Sequence, residues 1–403
     1  MIKWRAGAAS TSVPIDDGTP LAGFVARMGS SCGTLDDLTA SCLVLEAGGE
    51  RMAIIAIDLI GTDASMVAEI ARRTGVPEHS VALAASHTHS APDGVIEHLQ
   101  PARKEPVDQA LREKFIAACT KVVLTAGQRA ERARIALGRT KVRGIAANRL
   151  DSSGPFDPTV SILAVKRIDD SPIATLVHFA CHPTILPAES LSISADFPGA
   201  LRSALAFPEF GTVLYANGAA GDISTRFTRR SQDFAEVTRV GQAIADAVRA
   251  CTRWKPLSPS IEARSIPVAL PFRTPDEVRA AIESFTSIPA GPPESRVEVT
   301  RRQGLAILEE ALTASTVDRA KISIGVWSLG ELTLVGIPGE LFSSLGTRLT
   351  AAKPGSLILG YTNGYSGYFP DEAAYWMGSY EALASPYSSA TVQELMAMIE
   401  KEL

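Results

Sequence analysis

Histidines at the ends of apolar runs are the residues of this sequence best suited to chemistry. His87 and His89 closely follow the apolar run at 81–85, and His182 ends another apolar run just before a proline. Residues i and i+2 of a strand share a face, so His87 and His89 can approach one ion together, or one can bind the ion while the other transfers protons. The alternative is a histidine pair held by hydrogen bonds in a polar loop. His178 lies deeper within its apolar run, which favours a core histidine.

Other polar groups also follow apolar runs. Glu340 comes after Pro-Gly at a predicted helix start, where it is either a first-turn acid favoured by the helix dipole or a metal ligand. The segment with Asn217, Asp222 and Ser224 is rich in small residues that leave backbone N–H groups exposed, and it forms either a pocket loop or a flexible turn. The stretch 361–381 holds five of the seven tyrosines. Such phenols pack as amphipathic groups, bind a cation or donate a hydrogen bond to an oxyanion.

The elements that must position these residues follow from hydrophobic periodicity. Short apolar runs alternate with segments of helical period, which predicts an α/β or α+β fold, with mixed sheets flanked by helices and the site at sheet-edge loops. Strands are predicted at 41–46, 52–58, 81–86, 161–165, 173–180, 213–216, 322–329 and 332–337, and helices at 63–73, 108–132 and 233–252, with two more between 274 and 315. The first two strands form a hairpin.

Composition and charge exclude several classes of protein. Apolar residues make up 46% and charged residues 21% of the chain, which is ordinary globular usage. The net charge of −5 lacks the basic excess of a nucleic-acid-binding protein. No apolar stretch approaches the roughly 20 residues of a transmembrane helix. Because no signal peptide is visible at the N-terminus, we expect a cytoplasmic protein. The five scattered cysteines include no Cys-x-x-Cys pair, so a metal would need other ligands.

Six short segments together resemble a known family. They are Ser86 to Pro92, Asn148-Arg149, His182-Pro-Thr, Gly221-Asp-Ile-Ser224, Pro338-Gly-Glu340 and the stretch 365–381. In this order they resemble the catalytic domain of neutral ceramidases, and residues 7–23 are similar to the opening of that domain. The resemblance implies a zinc amidase that acts on a small-molecule or lipid-like N-acyl substrate.

The resemblance also implies roles for individual residues. It implies zinc ligands at His87, His182, Glu340 and Tyr368, a set that leaves one coordination position open. Tyr380 matches the family's second tyrosine, which binds the oxyanion, because its spacing from the ligand tyrosine is the same.

Further residues are expected to contact the substrate. His89 and Arg149 match residues that contact the substrate or an anion in the site, and Ser224 matches a serine beside the metal. Asn217, Asp222 and Tyr365 are the remaining candidates for substrate contacts, and they complete the predicted set.

These roles predict a hydrolytic mechanism. Water activated by zinc attacks an amide carbonyl, Tyr380 stabilises the oxyanion, and His89 protonates the departing amine. The sequence reads Ser224-Thr-Arg where the family usually has Ser-Pro-Asn, and the region between Arg149 and Asp157 is shortened, so the substrate pocket is expected to differ. The substrate is therefore expected to be an amide, but not necessarily ceramide.

The predicted ligands lie on both sides of a linker-like segment at 255–260. We therefore predict one domain over residues 1–403, with 272–318 as a helical insertion. Alternatives to the zinc amidase are an esterase or lactonase with the same zinc, an amidase with Ser224 as nucleophile and His89 as base, and a noncatalytic metal- or lipid-binding relative. His, Glu and Tyr ligands also accept manganese or iron.

Overall fold

The structure is a computed structural model that describes residues 2–97, 106–206, 208–288, 291–293, 295–313 and 319–403. Its strands are β1 (Trp4–Ser12), β2 (Thr39–Ala47), β3 (Glu50–Ile57), β4 (Val81–Ala85), β5 (Glu131–Lys141), β6 (Ala147–Asn148), β7 (Thr159–Arg167), β8 (Pro172–Phe179), β9 (Thr212–Asn217), β10 (Ile223–Ser224), β11 (Trp254–Pro256), β12 (Ile261–Pro271), β13 (Arg319–Leu329), β14 (Leu332–Gly336), β15 (Glu340–Leu341), β16 (Leu357–Leu359) and β17 (Tyr368–Phe369). Its helices are α1 (Ala64–Thr74), α2 (Gln109–Gln128), α3 (Phe197–Ala204), α4 (Phe234–Arg249), α5 (Pro275–Ser287), α6 (Arg296–Thr313), α7 (Ser343–Ala352), α8 (Glu372–Met377), α9 (Tyr380–Ala384) and α10 (Ser389–Glu402). None of the helices in these ranges is long and apolar enough to span a bilayer.

Two mixed sheets pack face to face between helices. The larger sheet has the order β4-β3-β2-β1-β5-β7-β8-β9, with β11 paired to β5, and the smaller has the order β12-β13-β14-β16. Helices α1 and α2 cover β1 to β3, and α3 and α4 cover β7 to β9. In β13, Trp327 points toward the large sheet, while its neighbour Val326 packs on the side of α7 and α10. The predicted mixed α/β class is confirmed.

Local sequence explains the first elements. β2 and β3 form the predicted hairpin, in which Ala47 pairs with Glu50 across Gly48 and Gly49. Both glycines have positive φ, as a two-residue hairpin turn requires. Helix α1 begins after Asp63, whose carboxylate accepts a hydrogen bond from the Met66 N–H at 2.8 Å.

Two of the differences from the sequence predictions involve β5. The predicted helix at 108–132 ends at Gln128, because the chain then enters β5 at Glu131. Part of the linker-like segment is also ordered, because β11 pairs antiparallel with β5 at the edge of the large sheet. In both segments, pairing with a neighbouring strand rather than the local sequence pattern determines the secondary structure.

The two helices predicted between 274 and 315 are present as α5 and α6. Thr274 and Glu277 form a capping box at the start of α5. The helical pair packs through Phe285 and Leu308 against Leu383 of α9. Residues 289–290, 294 and 314–318 of the predicted insertion lie outside the described residues. The organisation of residues 1–403 as one domain stays a prediction.

Candidate active site

The buried side-chain amide of Asn217 links the two segments that carry the histidines through hydrogen bonds. The Asn217 side chain donates from Nδ2 to the carbonyls of Ser86 at 3.2 Å and Cys181 at 3.1 Å. Its Oδ1 accepts from the backbone N–H groups of Cys181 and Gly218. Because Ser86 precedes His87 and Cys181 precedes the second histidine, this amide fixes both segments. Its polar atoms are all used in these bonds, which gives Asn217 a positioning role; its predicted contact with substrate stays a prediction.

His87 and His182 are oriented in the same way by backbone carbonyls. The Nδ1 of His87 lies 2.6 Å from the carbonyl oxygen of Ile60, and the Nδ1 of His182 lies 2.6 Å from that of Ala220. A carbonyl only accepts, so each Nδ1 carries the hydrogen. Burial lowers the pKa of His182 to about 4, so its ring is neutral near pH 7 and its Nε2 presents a lone pair. His87 also has a φ of 67°, a strained conformation for a residue with a side chain.

Glu340 lies against both imidazoles. Its Oε2 is 2.9 Å from Nε2 of His182 and 3.4 Å from Nε2 of His87. Burial alone would raise the pKa of Glu340, but positive charge at the two imidazoles brings it well below its usual range, so a cation at this position keeps the carboxylate ionised. When His182 is neutral and its Nδ1 carries the hydrogen, its Nε2 lone pair faces this carboxylate oxygen. Such acceptor-to-acceptor contacts repel unless a cation lies between them, which is the arrangement of a metal site.

The strand pairing that places Glu340 corrects its predicted secondary structure. Glu340 does not begin a helix; it lies in β15, and α7 begins at Ser343. β15 pairs in parallel with β17, and in this pairing Glu340 is the partner of Tyr368. Gly221 passes close to this strand, because a Cβ there would lie 2.5 Å from the Glu340 carbonyl oxygen. The predicted ligands Glu340 and Tyr368 are therefore neighbours.

A buried charge network surrounds Tyr368. Arg149 donates from Nη2 to the Tyr368 hydroxyl at 3.1 Å and from Nε to Glu381 at 2.7 Å. Burial disfavours the charge on Arg149, but Tyr368 and Glu381 raise its pKa, so it stays a cation. Burial and the charge of Glu340 raise the pKa of Tyr368 well above its usual range. The ring of Tyr380, the first residue of α9, lies 6.0 Å from that of Tyr368 in a T-shaped arrangement.

His89 differs from the other two histidines. Its Nε2 lies 3.3 Å from Nε2 of His87. Burial lowers its pKa well below the usual value, and its Nδ1 finds no partner within the part of the chain that the structure describes. Gly23, with φ of 97°, packs on the imidazole, because a Cβ there would lie 2.5 Å from the ring. Phe24 covers the ring from 4.8 Å.

The remaining predicted residues lie around this group. Ser224 pairs with His182 in a parallel bridge, and its hydroxyl accepts from the N–H of Arg226 at 3.2 Å. Asp222, predicted to contact substrate, instead accepts hydrogen bonds from Asn148 and Ser343, and so fixes β6 and the start of α7. The predicted contact of Asp222 with substrate likewise stays a prediction.

Tyr365 also contacts the site directly. Its hydroxyl donates to Oε1 of Glu340 at 2.6 Å. Oε1 of that carboxylate is thereby held, and Oε2 is left facing the histidines. The structure thus places Tyr365, predicted to contact substrate, against a predicted metal ligand.

Two residues of this site were missed in the sequence. Tyr361 stacks on His87 at 3.9 Å between ring centroids and is fully buried. Glu381 holds Arg149 and is only 3% exposed. The tyrosine-rich stretch was the only signal for Tyr361, and the position of Glu381 directly after Tyr380 was the signal for the acid.

The donor set fits a divalent metal ion. Ligand atoms of His87, His89 and His182 all lie within 4.8 Å of one another, and all three residues are buried. Histidines that bind a metal usually donate their other N–H to a carbonyl or carboxylate. His87 and His182 meet this condition, whereas His89 does not. The geometry therefore favours His87, His182 and Glu340 as ligands and leaves His89 beside them.

Solved structures of other proteins share this fold. The chain is similar to the neutral ceramidase of Pseudomonas aeruginosa, with a TM-score of 0.80 and 18% identity over 99% of this chain and 74% of that chain. It is also similar to a ceramidase complexed with C2, with a TM-score of 0.75, 16% identity and the same coverage. No family model matches the sequence, and no curated protein matches it. Because both identities are low, the likeness establishes the architecture alone: this chain has the fold of the neutral ceramidases, as its motifs predicted.

Proposed function

We propose that this protein is a metal-dependent hydrolase that cleaves the C–N bond of an N-acyl amide. One observation carries the proposal: the buried carboxylate of Glu340 lies against Nε2 of both His182 and His87, whose Nδ1 atoms are already bonded to backbone carbonyls. We assign zinc as the metal, with Tyr368 as the fourth ligand because it is the strand partner of Glu340. The fold shared with ceramidases supports an amide substrate.

The metal and the protein side chains supply different parts of the proposed chemistry. A zinc ion in this set supplies Lewis acidity, which polarises a carbonyl and acidifies water. Because burial keeps His89 neutral, its imidazole accepts the proton that water releases on attack and returns it to the nitrogen of the departing amine. The Tyr380 hydroxyl donates a hydrogen bond to the oxyanion. Arg149, held by Glu381, keeps the Tyr368 hydroxyl in place.

Exposed apolar side chains on the flanking segments support a lipid-like acyl group. Met28 is 85% exposed and follows the turn whose Phe24 covers His89. Trp376 is 80% exposed and lies between the two site tyrosines in the sequence, and Phe227 is 51% exposed shortly after Ser224. Large apolar groups exposed on segments that carry site residues offer contacts to an apolar ligand. The substrate class proposed is an N-acyl amide, ceramide-like or smaller.

The proposal is tested by hydrolysis of a panel of N-acyl amides, esters and lactones by the purified protein. We expect amide cleavage that a chelator abolishes and zinc restores. Tyr380→Phe should lose most activity, whereas Ser224→Ala should retain it.

Each alternative predicts a different result. Preference for esters or lactones with the same metal dependence supports the esterase or lactonase. Activity that survives the chelator but is lost in Ser224→Ala supports the serine route. Bound zinc without turnover of any substrate supports a binding protein. Each of these three results contradicts the proposed amidase.

A further inference from the structure

Helix α9 carries two residues of the candidate site but is too short to fix its own position. It begins at Tyr380, the proposed oxyanion donor, and its second residue, Glu381, holds Arg149 at 2.7 Å. A helix of five residues is not stable by itself in water, because its first turn fixes several residues for a single hydrogen bond. The position of α9 must therefore come from the elements that pack on it.

Strand β17, which carries Tyr368, is one of these elements. Ser385, directly after α9, donates from its hydroxyl to the Tyr368 carbonyl at 2.9 Å. The rings of Tyr368 and Tyr380 lie 6.0 Å apart between centroids. A displacement of α9 therefore moves the Tyr380 hydroxyl relative to a proposed metal ligand.

Helix α6 approaches the backbone of α9 at Gly304. A Cβ added to Gly304 would lie 2.8 Å from Cβ of Leu383 and 3.3 Å from the carbonyl oxygen of Tyr380. Neither atom is the far end of a flexible side chain, so a larger residue at 304 must displace α9 itself. Glycine destabilises the interior of a helix, and this close approach accounts for a glycine in the middle of α6.

Helix α5 and the residue before its cap contact the same segment. Gly378, two residues before α9, packs on Phe285 of α5, because a Cβ there would lie 2.4 Å from the ring. Arg273 donates from Nη2 to the Ala382 carbonyl at 2.7 Å and from Nε to the Tyr387 carbonyl at 2.8 Å. The helical pair therefore holds the chain before, within and after α9.

We propose that the helical pair α5–α6 positions the oxyanion donor Tyr380, by holding α9 through Gly304 and Arg273. Gly304 has no side chain that could touch metal or substrate, so it is a positioning residue. The catalytic consequence of this inference rests on the proposed function. The position of Tyr380 does not, and it can be measured without any substrate.

Crystal structures of the full chain test the position of Tyr380. In Gly304→Ala we expect the Tyr380 hydroxyl to move relative to Tyr368 by more than about 0.5 Å, the tolerance within which a catalytic group must be held. Gly127→Ala is the matched control, because an added Cβ at this glycine of α2 would have no described atom within 4 Å. It should leave Tyr380 in place. A Gly304→Ala structure with Tyr380 unmoved overturns the proposal.

A double-mutant cycle tests whether Gly304 acts through Tyr380. On an amide that the wild type cleaves, Gly304→Ala should lower kcat about 10- to 100-fold with nearly unchanged KM, because an oxyanion donor acts in the transition state. Combined with Tyr380→Phe, it should cause no further loss beyond that of Tyr380→Phe alone. A double variant that loses the product of the two single effects overturns the proposal. Gly127→Ala should keep the wild-type kcat.

The two arms separate failure of this inference from failure of the proposed function. If the wild type cleaves no amide, the proposed function fails, and the crystal structures alone decide where the helical pair places Tyr380. Circular dichroism checks the fold of each variant. If Gly304→Ala does not fold, Arg273→Lys replaces it in both arms, because lysine keeps the cation but loses the planar fork that bonds two carbonyls.

Discussion

The substitution Glu340→Gln changes stability in opposite directions with and without metal. In the metal-free protein, Oε2 of Glu340 faces the lone pair of His182 at 2.9 Å, while Oε1 accepts from the Tyr365 hydroxyl. A glutamine in the same orientation keeps the oxygen against Tyr365 and turns an N–H toward His182. The variant therefore replaces a repulsive contact with a hydrogen bond.

The expected effect combines two contributions. A new buried hydrogen bond contributes about 1 kcal/mol net. The variant also avoids burying a charged carboxylate, so we expect the metal-free protein to gain about 1–3 kcal/mol in free energy of unfolding. Zinc at a thousandfold excess over its dissociation constant should stabilise the wild type by about 4 kcal/mol. Most of this second gain should be lost in Glu340→Gln, because a ligand is missing.

Urea unfolding of both proteins, with chelator and with zinc, measures these changes. Glu50→Gln removes an exposed acid of β3 and is the matched control, which should behave as the wild type in both conditions. The refuting result is a metal-free Glu340→Gln that is less stable by about 3–5 kcal/mol, as expected for breaking a buried ion pair. His182 would then be protonated and the site a structural salt bridge.

Three further changes test other parts of the site. Tyr380→Phe should lower kcat about 10²–10³-fold, the usual effect of removing one oxyanion donor, with unchanged zinc content by elemental analysis; a normal kcat contradicts its role. Gly23→Ala should displace the His89 ring, because the new Cβ would lie 2.5 Å from it, so activity should fall in a hydrolysis assay while zinc binding persists. Burial raises the pKa of Asp222 from 3.8 to about 6 in the folded protein, so the wild type loses stability as pH rises between these values. Asp222→Asn lacks this titration. As pH rises over this range, the free energy of unfolding of the variant, measured by urea melts, should therefore increase relative to that of the wild type by up to about 3 kcal/mol. Parallel pH profiles of the two proteins contradict this.

Much of the fold follows from local pattern. The hairpin of β2 and β3 could be predicted because alternating apolar residues flank two glycines, and α1 could be predicted from its Asp63 cap. The end of α2 and the pairing of β11 could not, because neighbouring strands decide them. The same is true of β15, a two-residue strand that exists only through its pairing with β17.

The sequence indicates which residue types belong to the site better than it indicates what those residues contact. Strand ends with histidine indicated His87 and His182, which the structure brings to Glu340. Local sequence does not show whether a polar side chain is already satisfied. The sequence therefore leaves Asn217 and Asp222 as candidates for substrate contacts, and only the fold shows that backbone and neighbouring side chains use their hydrogen bonds.

We propose that one metal ion is bound between the ends of β4 and β8 and strand β15. Anomalous diffraction at the zinc edge, from crystals of zinc-loaded protein, tests it most directly. We expect a single strong peak within about 2.0–2.2 Å of Nε2 of His87, Nε2 of His182 and a carboxylate oxygen of Glu340. A zinc-loaded crystal with no peak there, or with its peak at other side chains, would contradict it.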